Sequence, residues 1–562
     1  MKMSLLHKLA FFVILLFPTS LVLAEFQRGE NGMVSSRSDI ASEVGKDILA
    51  QGGNAIDAAV AVGFALAVTY PSAGNIGGGG FMVFRTAEGE VYTQDAREKA
   101  PLAASRDMFL DSNGEFDRQL SRNSLQATGV PGSVAGLLDA LERFGTMSRA
   151  EVIAPAIKLA EEGFHLNADL ASQFQNNLST FQQYPASLWK FSNKGQAYVD
   201  GDLWQQPELA ATLKLISANG RDGFYKGPVA DNLVASMQAN GGLITHEDLV
   251  NYEPVWRNPI HGNYRGYDVW SMPAPSSGGI LLVQMLNMLE PYDLNKLGWG
   301  SAETVHLMIE AQRRAYADRA EHLGDPDFYN VPTAMLTSKE YAQQRFGDFN
   351  PDSASLSEDI GAGSWPQESM QTTHYSIIDA EGNAVAVTTT LNASYGNKFV
   401  VPGAGFLLNN EMDDFSSKPN TANGFGLIGG VANEIQPSKR MLSSMTPTII
   451  TYGDKIFLVT GSPGGSTIIN TVLQVVVNAI DHRMNIEDAV TSPRFHHQWL
   501  PDIVRYEDGA MTDQVVDELN SMGHKGLSRS RFSLGDANSI MLIDNTLEGV
   551  SDPRNEGGVA GF

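Results

Sequence analysis

Apolar and polar positions alternate with different periods along the chain, and each period predicts an element. Residues 371–392 (QTTHYSIIDAEGNAVAVTTTLN) contain two β-rich runs, marked by Tyr375 and Ile377 and by Ala384, Val385 and Val387, on either side of the turn-forming 379–383. Such runs about a polar, glycine-containing turn predict a β-hairpin. A turn centred on Glu381 sets Ile378 opposite Ala384, Ser376 opposite Ala386, His374 opposite Thr388 and Thr372 opposite Thr390. A slip of one residue would send each side chain to the other face. Opposed residues on one face lie about 5 Å apart at Cβ, so the last pair brings two hydroxyls within reach of each other.

Helical spacing predicts a helix over 38–51, with Ile40, Val44 and Ile48 on one face and Gly52-Gly53 as its stop. Residues 55–69 are apolar nearly all round, which predicts a buried helix. The glycine run 74–80 then stands between that helix and a strand over 81–85, continued by a strand over 91–94. Nucleotide-binding loops need strand, glycines and helix in that order, so this run predicts close backbone packing instead. Residues 148–340 read as mostly helical, with apolar spacing in 152–160 and 302–320, a loop at 273–279 (PAPSSGG) and a helix over 280–289. Further on, 445–451 and 456–460 predict a second hairpin turning on Gly453-Asp454. It ends in Gly461-Ser462-Pro463-Gly464-Gly465-Ser466, followed by a helix over 467–481.

Composition narrows the setting. Lys2 and Lys8 precede the apolar run 9–23, and Val22-Leu23-Ala24 supplies acceptable residues before a cut after Ala24. This is the pattern of a secretory signal peptide; the run contains Pro18 and is short for an anchor. The formal charge is −25, and −27 without the two leader lysines. An acidic exported chain repels nucleic acid. The expectation is a periplasmic or secreted protein with no stable membrane association. There is no cysteine, which excludes disulfides, thiolate catalysis and Cys-ligated zinc together. Adjacent His496 and His497 would point apart on a strand, and no third metal ligand accompanies them, so a structural role is expected.

Two stretches carry chemistry. Residues 346–371 are polar and rich in Ser, Gly and Pro, which predicts an exposed loop running straight into the strand that begins at Thr372. A threonine pair in a sheet is by itself only good strand material. With that loop ahead of it, Thr372 suits an N-terminal nucleophile: its hydroxyl attacks the preceding carbonyl, and the freed α-amine becomes the base. An α-amine titrates at about 7.7–8.0, close to working pH. The second stretch is GSPGGS, a glycine turn entering a helix, where outward N–H groups favour developing negative charge. It lacks the GxSxG order of a serine-hydrolase elbow.

TTHYS, LLNNEMDDF, LSSM and GSPGGS, in this order, resemble the γ-glutamyltransferase (γ-glutamyltranspeptidase) family of N-terminal-nucleophile hydrolases. NAIDAAVAVGFALAVTYPSAGNIGGGGFMVF, DAREKAP and TSPRFHHQWLPD extend the likeness over essentially everything after the leader. The resemblance implies a four-layer αββα sandwich, one domain built from two fragments. Cleavage between Gln371 and Thr372 would leave a large fragment of 347 residues (25–371) and a small one of 191 (372–562), associated as a heterodimer.

It further implies Thr372 as nucleophile, Thr390 bonding its hydroxyl, and Gly464 and Gly465 as oxyanion donors. By the same likeness Arg97 clamps the substrate α-carboxylate, a planar anion that a guanidinium fork suits. Ser443 and Ser444 bond that carboxylate, while Glu411 and Asp414, helped by Asn392, hold the α-ammonium. The implied reaction transfers a γ-glutamyl group from glutathione or a similar donor to an amino acid, a peptide or water, with no cofactor. Residues 419–430 lie where longer relatives carry a lid. Phe425 there lacks the hydroxyl that a tyrosine in some relatives gives to the asparagine matching Asn392, so hydrolysis is expected to compete better with transfer. Two alternatives stand beside this reading. One is a glutaryl-type acylase, which would not need the ammonium site; the other is an exported solute-binding protein that never cleaves.

Overall fold

The hairpin around Glu381 forms the middle of a seven-stranded antiparallel sheet, and its register is the expected one. Ile378 faces Ala384, Ser376 faces Ala386, His374 faces Thr388 and Thr373 faces Thr389. The structure is a computed structural model describing residues 24–360, 372–418 and 430–562. The leader to residue 23, the segment 361–371 that ends at Gln371, and the lid stretch 419–429 with Phe425 lie outside the described residues.

Across the first sheet the order is Gly558–Gly561, Gly32–Ser36, Thr373–Asp379, Ala384–Thr390, Gly79–Arg85, Val91–Ala96 and Val255–Arg257. A second seven-stranded sheet runs Glu25–Gly29, Thr546–Ser551, Ser539–Ile543, Lys455–Thr460, Thr448–Tyr452, Tyr267–Ser271 and Ile260–Tyr264. Period-two alternation gives each strand two apolar faces. Ile378, Ala384 and Ala386 meet Ile449, Ile456 and Val459 between the sheets. Tyr375, Ile377, Val385 and Val387 point the other way, into a core shared with the helices Asp39–Ala50 and Ala55–Thr69. Gly278–Leu289, Ala302–His322 and Thr467–Ile480 cover the outer face of the second sheet. The result is the four-layer αββα sandwich. At about 1.5–3 kcal/mol per fully buried large apolar side chain, these three apolar layers supply the cohesion of a chain that has no cysteine.

The buried helix is confirmed in full: every residue of Ala55–Thr69 is buried, and Asn54 caps it reciprocally with Asp57. The helix before it is turned from the expected face. Asp39–Ala50 buries Ala41, Gly45, Ile48 and Leu49, leaving Ile40 and Val44 half-buried. The reason is Gly45, whose missing side chain lets the helix approach Val62 so closely that a Cβ would meet it at 2.6 Å. A larger correction concerns 148–340. Most of it is helical, but Val255–Arg257, Ile260–Tyr264 and Tyr267–Ser271 are strands that complete both sheets. Arg265 and Gly266, both at positive φ, make the tight turn between the last two. Among the described residues no helix is long and apolar enough to cross a membrane.

Candidate active site

Thr372 lies one residue ahead of its strand, on the side of the sheet that His374 and Ser376 occupy. That side faces the second sheet: the His374 ring packs on Gly461, and Ser376 Oγ donates to Asn538 O at 2.9 Å. The register carries Thr390 to the facing position, and both threonines line one small pocket. Arg97, Asn392, Glu411, Asp414, Ser443, Ser444 and Gly465 line it with them. Of the residues singled out from sequence, only Gly464 is missing there. It lines an adjoining cleft that also reaches Thr372.

The glycine run packs this corner as expected. A Cβ on Gly78 would stand 2.1 Å from Thr390 O, and Asn75 Nδ2 donates to the same carbonyl at 2.9 Å. Thr390 Oγ1 accepts from the Asn392 amide at 2.8 Å. Asn392 itself sits at φ +71, a left-handed conformation that asparagine tolerates better than most residues. Its side-chain amide donates to Asn410 O at 2.8 Å. The carboxamide expected to help hold an ammonium is thus locked to the acidic loop.

Arg97 is fully buried and divides its guanidinium between two acids. One nitrogen bonds Glu411, and the other stands 2.5 Å from Asp414 Oδ2. Glu98 follows at 3.7 Å, so three carboxylates crowd one arginine. Burial pushes Glu411 well above the usual carboxylate range against the pull of Arg97, and it raises Asp414 as well. Glu98 is pushed up to about 7, again chiefly by burial. Buried carboxylates in excess of their cation favour a ligand that brings a positive group. Arg97, already in place, offers the matching contact for a negative one. The arrangement suits a zwitterionic α-amino acid head.

Ser443 and Ser444 are held by the PAPSSGG loop. Ser277 donates to Ser443 O through its amide at 2.8 Å and its hydroxyl at 2.7 Å, and Ser443 N donates to Pro275 O at 2.9 Å. Arg319, buried on the helix Ala302–His322, donates to Ser277 Oγ at 2.9 Å and to Ser444 Oγ at 3.1 Å. It also lines the pocket and lowers the Asp414 carboxyl electrostatically. Sequence reasoning missed Arg319. The available signal was a buried-length helix carrying charges on every face, since 310–319 reads EAQRRAYADR.

Gly464 and Gly465 both have positive φ, at +135 and +57, ahead of the helix Thr467–Ile480. Gly465 lines the small pocket and Gly464 the adjoining cleft, and Thr372 lines both. A glycine turn at a helix start is where outward N–H groups favour developing negative charge.

The histidines are structural. His374 bonds Thr388 Oγ1 at 2.9 Å and Ser376 Oγ at 3.0 Å, and burial drives its pKa down to about 3. His496 is bonded by Asn470 at 2.7 Å and His497 by Asp502 at 3.1 Å, so the two rings do diverge. His306, Glu310 and His524 converge in a buried cluster that the sequence did not mark. There Glu310 already answers Arg313, Arg314 and the Ser355 amide.

With this geometry in view, comparison with known proteins is decisive. The Gamma-glutamyltranspeptidase sequence family matches residues 41–562. The chain belongs to that family. It is similar to the glutathione hydrolase proenzyme of Escherichia coli (strain K12), 50% identical over 534 residues, covering 94% of this chain and 91% of that one. Among solved structures it resembles Helicobacter pylori gamma-glutamyltranspeptidase at 47% identity, TM-score 0.57, covering 58% of this chain and 93% of that one. The cephalosporin acylase of Bacillus halodurans superposes more completely, with TM-score 0.86 over 98% of this chain and 99% of the other, at 26% identity. The protein is therefore an enzyme of the gamma-glutamyltranspeptidase family on the N-terminal-nucleophile fold, which sets aside the solute-binding alternative.

Proposed function

We propose that this enzyme matures by self-cleavage before Thr372 and then transfers γ-glutamyl groups from glutathione and related donors to amino acids, peptides or water. In maturation Thr372 Oγ attacks the Gln371 carbonyl carbon and the peptide C–N bond breaks. That step frees the Thr372 α-amine, which keeps the hydroxyl's proton, and leaves Gln371 as an ester on Oγ; water then hydrolyses the ester, releasing the Gln371 carboxylate and the Thr372 hydroxyl. The fragments are 25–371 and 372–562, and they stay together because both contribute strands to both sheets. In support, 58% of this chain suffices to cover 93% of a solved relative's chain, close to the share the large fragment would occupy.

In turnover Thr372 Oγ attacks the γ-carbonyl of the donor while the α-amine takes its proton. The oxyanion lies toward the Gly464 and Gly465 amides. The C–N bond breaks, the leaving amine takes the proton, and a γ-glutamyl ester remains on Thr372. Water or an acceptor amine then attacks that ester carbon and releases Thr372. Arg97, Ser443 and Ser444 bind the α-carboxylate, Glu411 and Asp414 with Asn392 the α-ammonium, and Thr390 orients the nucleophile.

The observation that carries the reading is the Arg97–Glu411–Asp414 cluster in one pocket with Thr372. A glutaryl acyl group has no α-ammonium to place beside those acids, so the cluster favours γ-glutamyl over acylase substrates despite the close superposition with an acylase. The leader pattern in 1–24 supports export to the periplasm or beyond.

The experiment is expression of Thr372→Ala and Thr372→Ser. The Ala variant should remain one chain and release nothing from a γ-glutamyl anilide; the Ser variant should cleave, more slowly. Normal maturation of the Ala variant would show that an outside protease makes the cut.

A further inference from the structure

One helix reaches two separate parts of the proposed site. On Ala302–His322, residues Gln312, Tyr316 and Arg319 are spaced four and three apart, which sets them on one face. All three are buried. Gln312 Oε1 accepts from the His497 amide at 2.9 Å, Tyr316 Oη donates to Ser466 O, and Arg319 bridges Ser277 and Ser444. Arg319 thus holds a serine proposed for the substrate carboxylate. Tyr316, about 4.5 Å earlier along the axis, holds the start of the helix that follows Gly464 and Gly465.

Ser466 is the joint between that helix and the glycine turn. The Gly464 carbonyl accepts from Thr467 N at 3.0 Å and Thr467 Oγ1 at 2.8 Å, and the Gly465 carbonyl from Ile468 N at 3.3 Å. The turn is therefore carried by the first helical residues, and a shift of the helix start moves it. Ser466 is gripped on both sides. Its carbonyl takes the Tyr316 hydroxyl, and its own hydroxyl donates to Gln498 Oε1 at 2.7 Å. Gln498 is fixed in turn: Asn470 Nδ2 donates to His496 Nδ1 at 2.7 Å, so the ring proton sits on Nε2, which donates to the same Gln498 oxygen. Burial pushes the His496 pKa down to about 3, which keeps the imidazole neutral. The Tyr316 ring stands edge-on to it, with centroids 6.0 Å apart.

We propose that Tyr316 is a positioning residue for the acyl transfer: through Ser466 O it sets the glycine turn at the distance from Thr372 that the tetrahedral intermediate requires. The inference rests on the acyl-transfer reading above. A bound donor touches the carboxylate-binding serines before any bond changes, but it loads the turn only when its carbonyl oxygen becomes an oxyanion. Two residues on one helix face should therefore divide their effects, Arg319 on KM and Tyr316 on kcat. Acylation and deacylation both pass through a tetrahedral intermediate, so a displaced turn slows both and leaves KM in place.

The test uses the mature enzyme with γ-glutamyl-p-nitroanilide as donor and two inhibitors. Glutamate occupies the acyl pocket as a ground-state ligand. Its analogue with a boronic acid in place of the γ-carboxyl group takes up Thr372 Oγ on boron and becomes tetrahedral. Tyr316→Phe keeps the ring against His496 and loses only the hydroxyl. It should lower kcat roughly tenfold and raise the Ki of the boronate by a similar factor, with KM and the glutamate Ki within about twofold of wild type. Ser466→Ala keeps the carbonyl but loses the bond to Gln498. It should shift the same two quantities in the same direction, and it decides alone if Tyr316→Phe fails to mature. Unchanged kcat and boronate Ki, or equal losses for boronate and glutamate, overturn the positioning role and leave the acyl-transfer reading standing. A wild type that matures but releases no p-nitroaniline overturns both.

Discussion

Gly461 lies so close to the His374 imidazole that a Cβ on it would stand 2.3 Å from the ring. His374 stands on the strand that follows Thr372, and Gly461 directly follows Lys455–Thr460 of the other sheet, opening the turn that carries Gly464 and Gly465. Their contact fixes the strand that follows Thr372 against the turn proposed to hold the oxyanion. Gly461→Ala has to push the turn or the ring aside, and overpacking of this kind costs about 1–3 kcal/mol. The expected outcome is a lower Tm together with a loss of kcat of tenfold or more in whatever fraction matures. A variant with unchanged Tm and kcat would show that the contact is not what sets the spacing.

His374 also gives the protein an acid-sensitive element. Its folded pKa, pushed by burial to about 3, lies below the ordinary value of 6.5. The unfolded chain therefore binds a proton first as pH falls, and stability from this group is present above pH 6.5 and lost below it. The loss is about 1.4 kcal/mol per pH unit, or about 2 kcal/mol by pH 5. Buried carboxylates such as Glu98 and Asp536, each raised to about 7, act in the opposite sense over part of the same range. A difference measurement isolates the histidine. Denaturant unfolding of the wild type and His374→Gln at pH 7.5 and 5.0 should show the wild type losing about 2 kcal/mol relative to the variant. A parallel response of the two proteins would mean that the imidazole is hydrated or already charged at neutral pH.

The contrast between what was readable in the sequence and what was not follows from the range of the forces involved. The hairpin register was readable because its turn and its alternation are local, and one slipped residue would have put Ile378 and Ala386 in the wrong layer. Ala55–Thr69 was readable because an all-apolar helix has nowhere to go but inside. Tyr267–Ser271 was missed because its partner, Thr448–Tyr452, lies far along the chain, and an isolated YDVWS run carries too little signal. Arg97, Glu411 and Asp414 were named only through family likeness. Nothing in DAREKAP or NNEMDDF shows that these segments meet, since their contact is a product of tertiary closure. Arg319 escaped for the same reason, with the added mask of a helix whose buried charges look like a solvated face.

Arg319 is expected to matter as much as the residues named in advance. Its guanidinium bridges Ser277 and Ser444, so it fixes one of the two serines proposed to bind the substrate carboxylate. Arg319→Ala should raise KM for γ-glutamyl donors tenfold or more while leaving the fragments correctly cleaved on a gel. Arg319→Lys keeps the charge but cannot span both hydroxyls, and should fall between. Equal KM for wild type and Arg319→Ala would place the residue in packing alone.

The last prediction concerns which end of the substrate the acidic loop reads. Arg97→Ala leaves buried Glu411 and Asp414 without their cation, at a cost of several kcal/mol, whereas Asp414→Ala leaves Arg97 paired with Glu411 and removes a carboxylate proposed to hold the ammonium. Arg97→Ala and Asp414→Ala should each lower kcat/KM for γ-glutamyl-p-nitroanilide by roughly 10²-fold or more. The double variant should lose less than the product of the two, because it removes both charges of one interacting pair. The discriminating measurement pairs that donor with glutaryl-p-nitroanilide, which keeps the reacting carbonyl and the terminal carboxylate and lacks only the α-ammonium. Asp414→Ala takes away a contact that only the γ-glutamyl donor makes, so the ratio of γ-glutamyl to glutaryl hydrolysis should collapse by about the same 10²-fold. If both donors lose activity equally, Asp414 supports the architecture around Thr372 and the ammonium must be bound elsewhere.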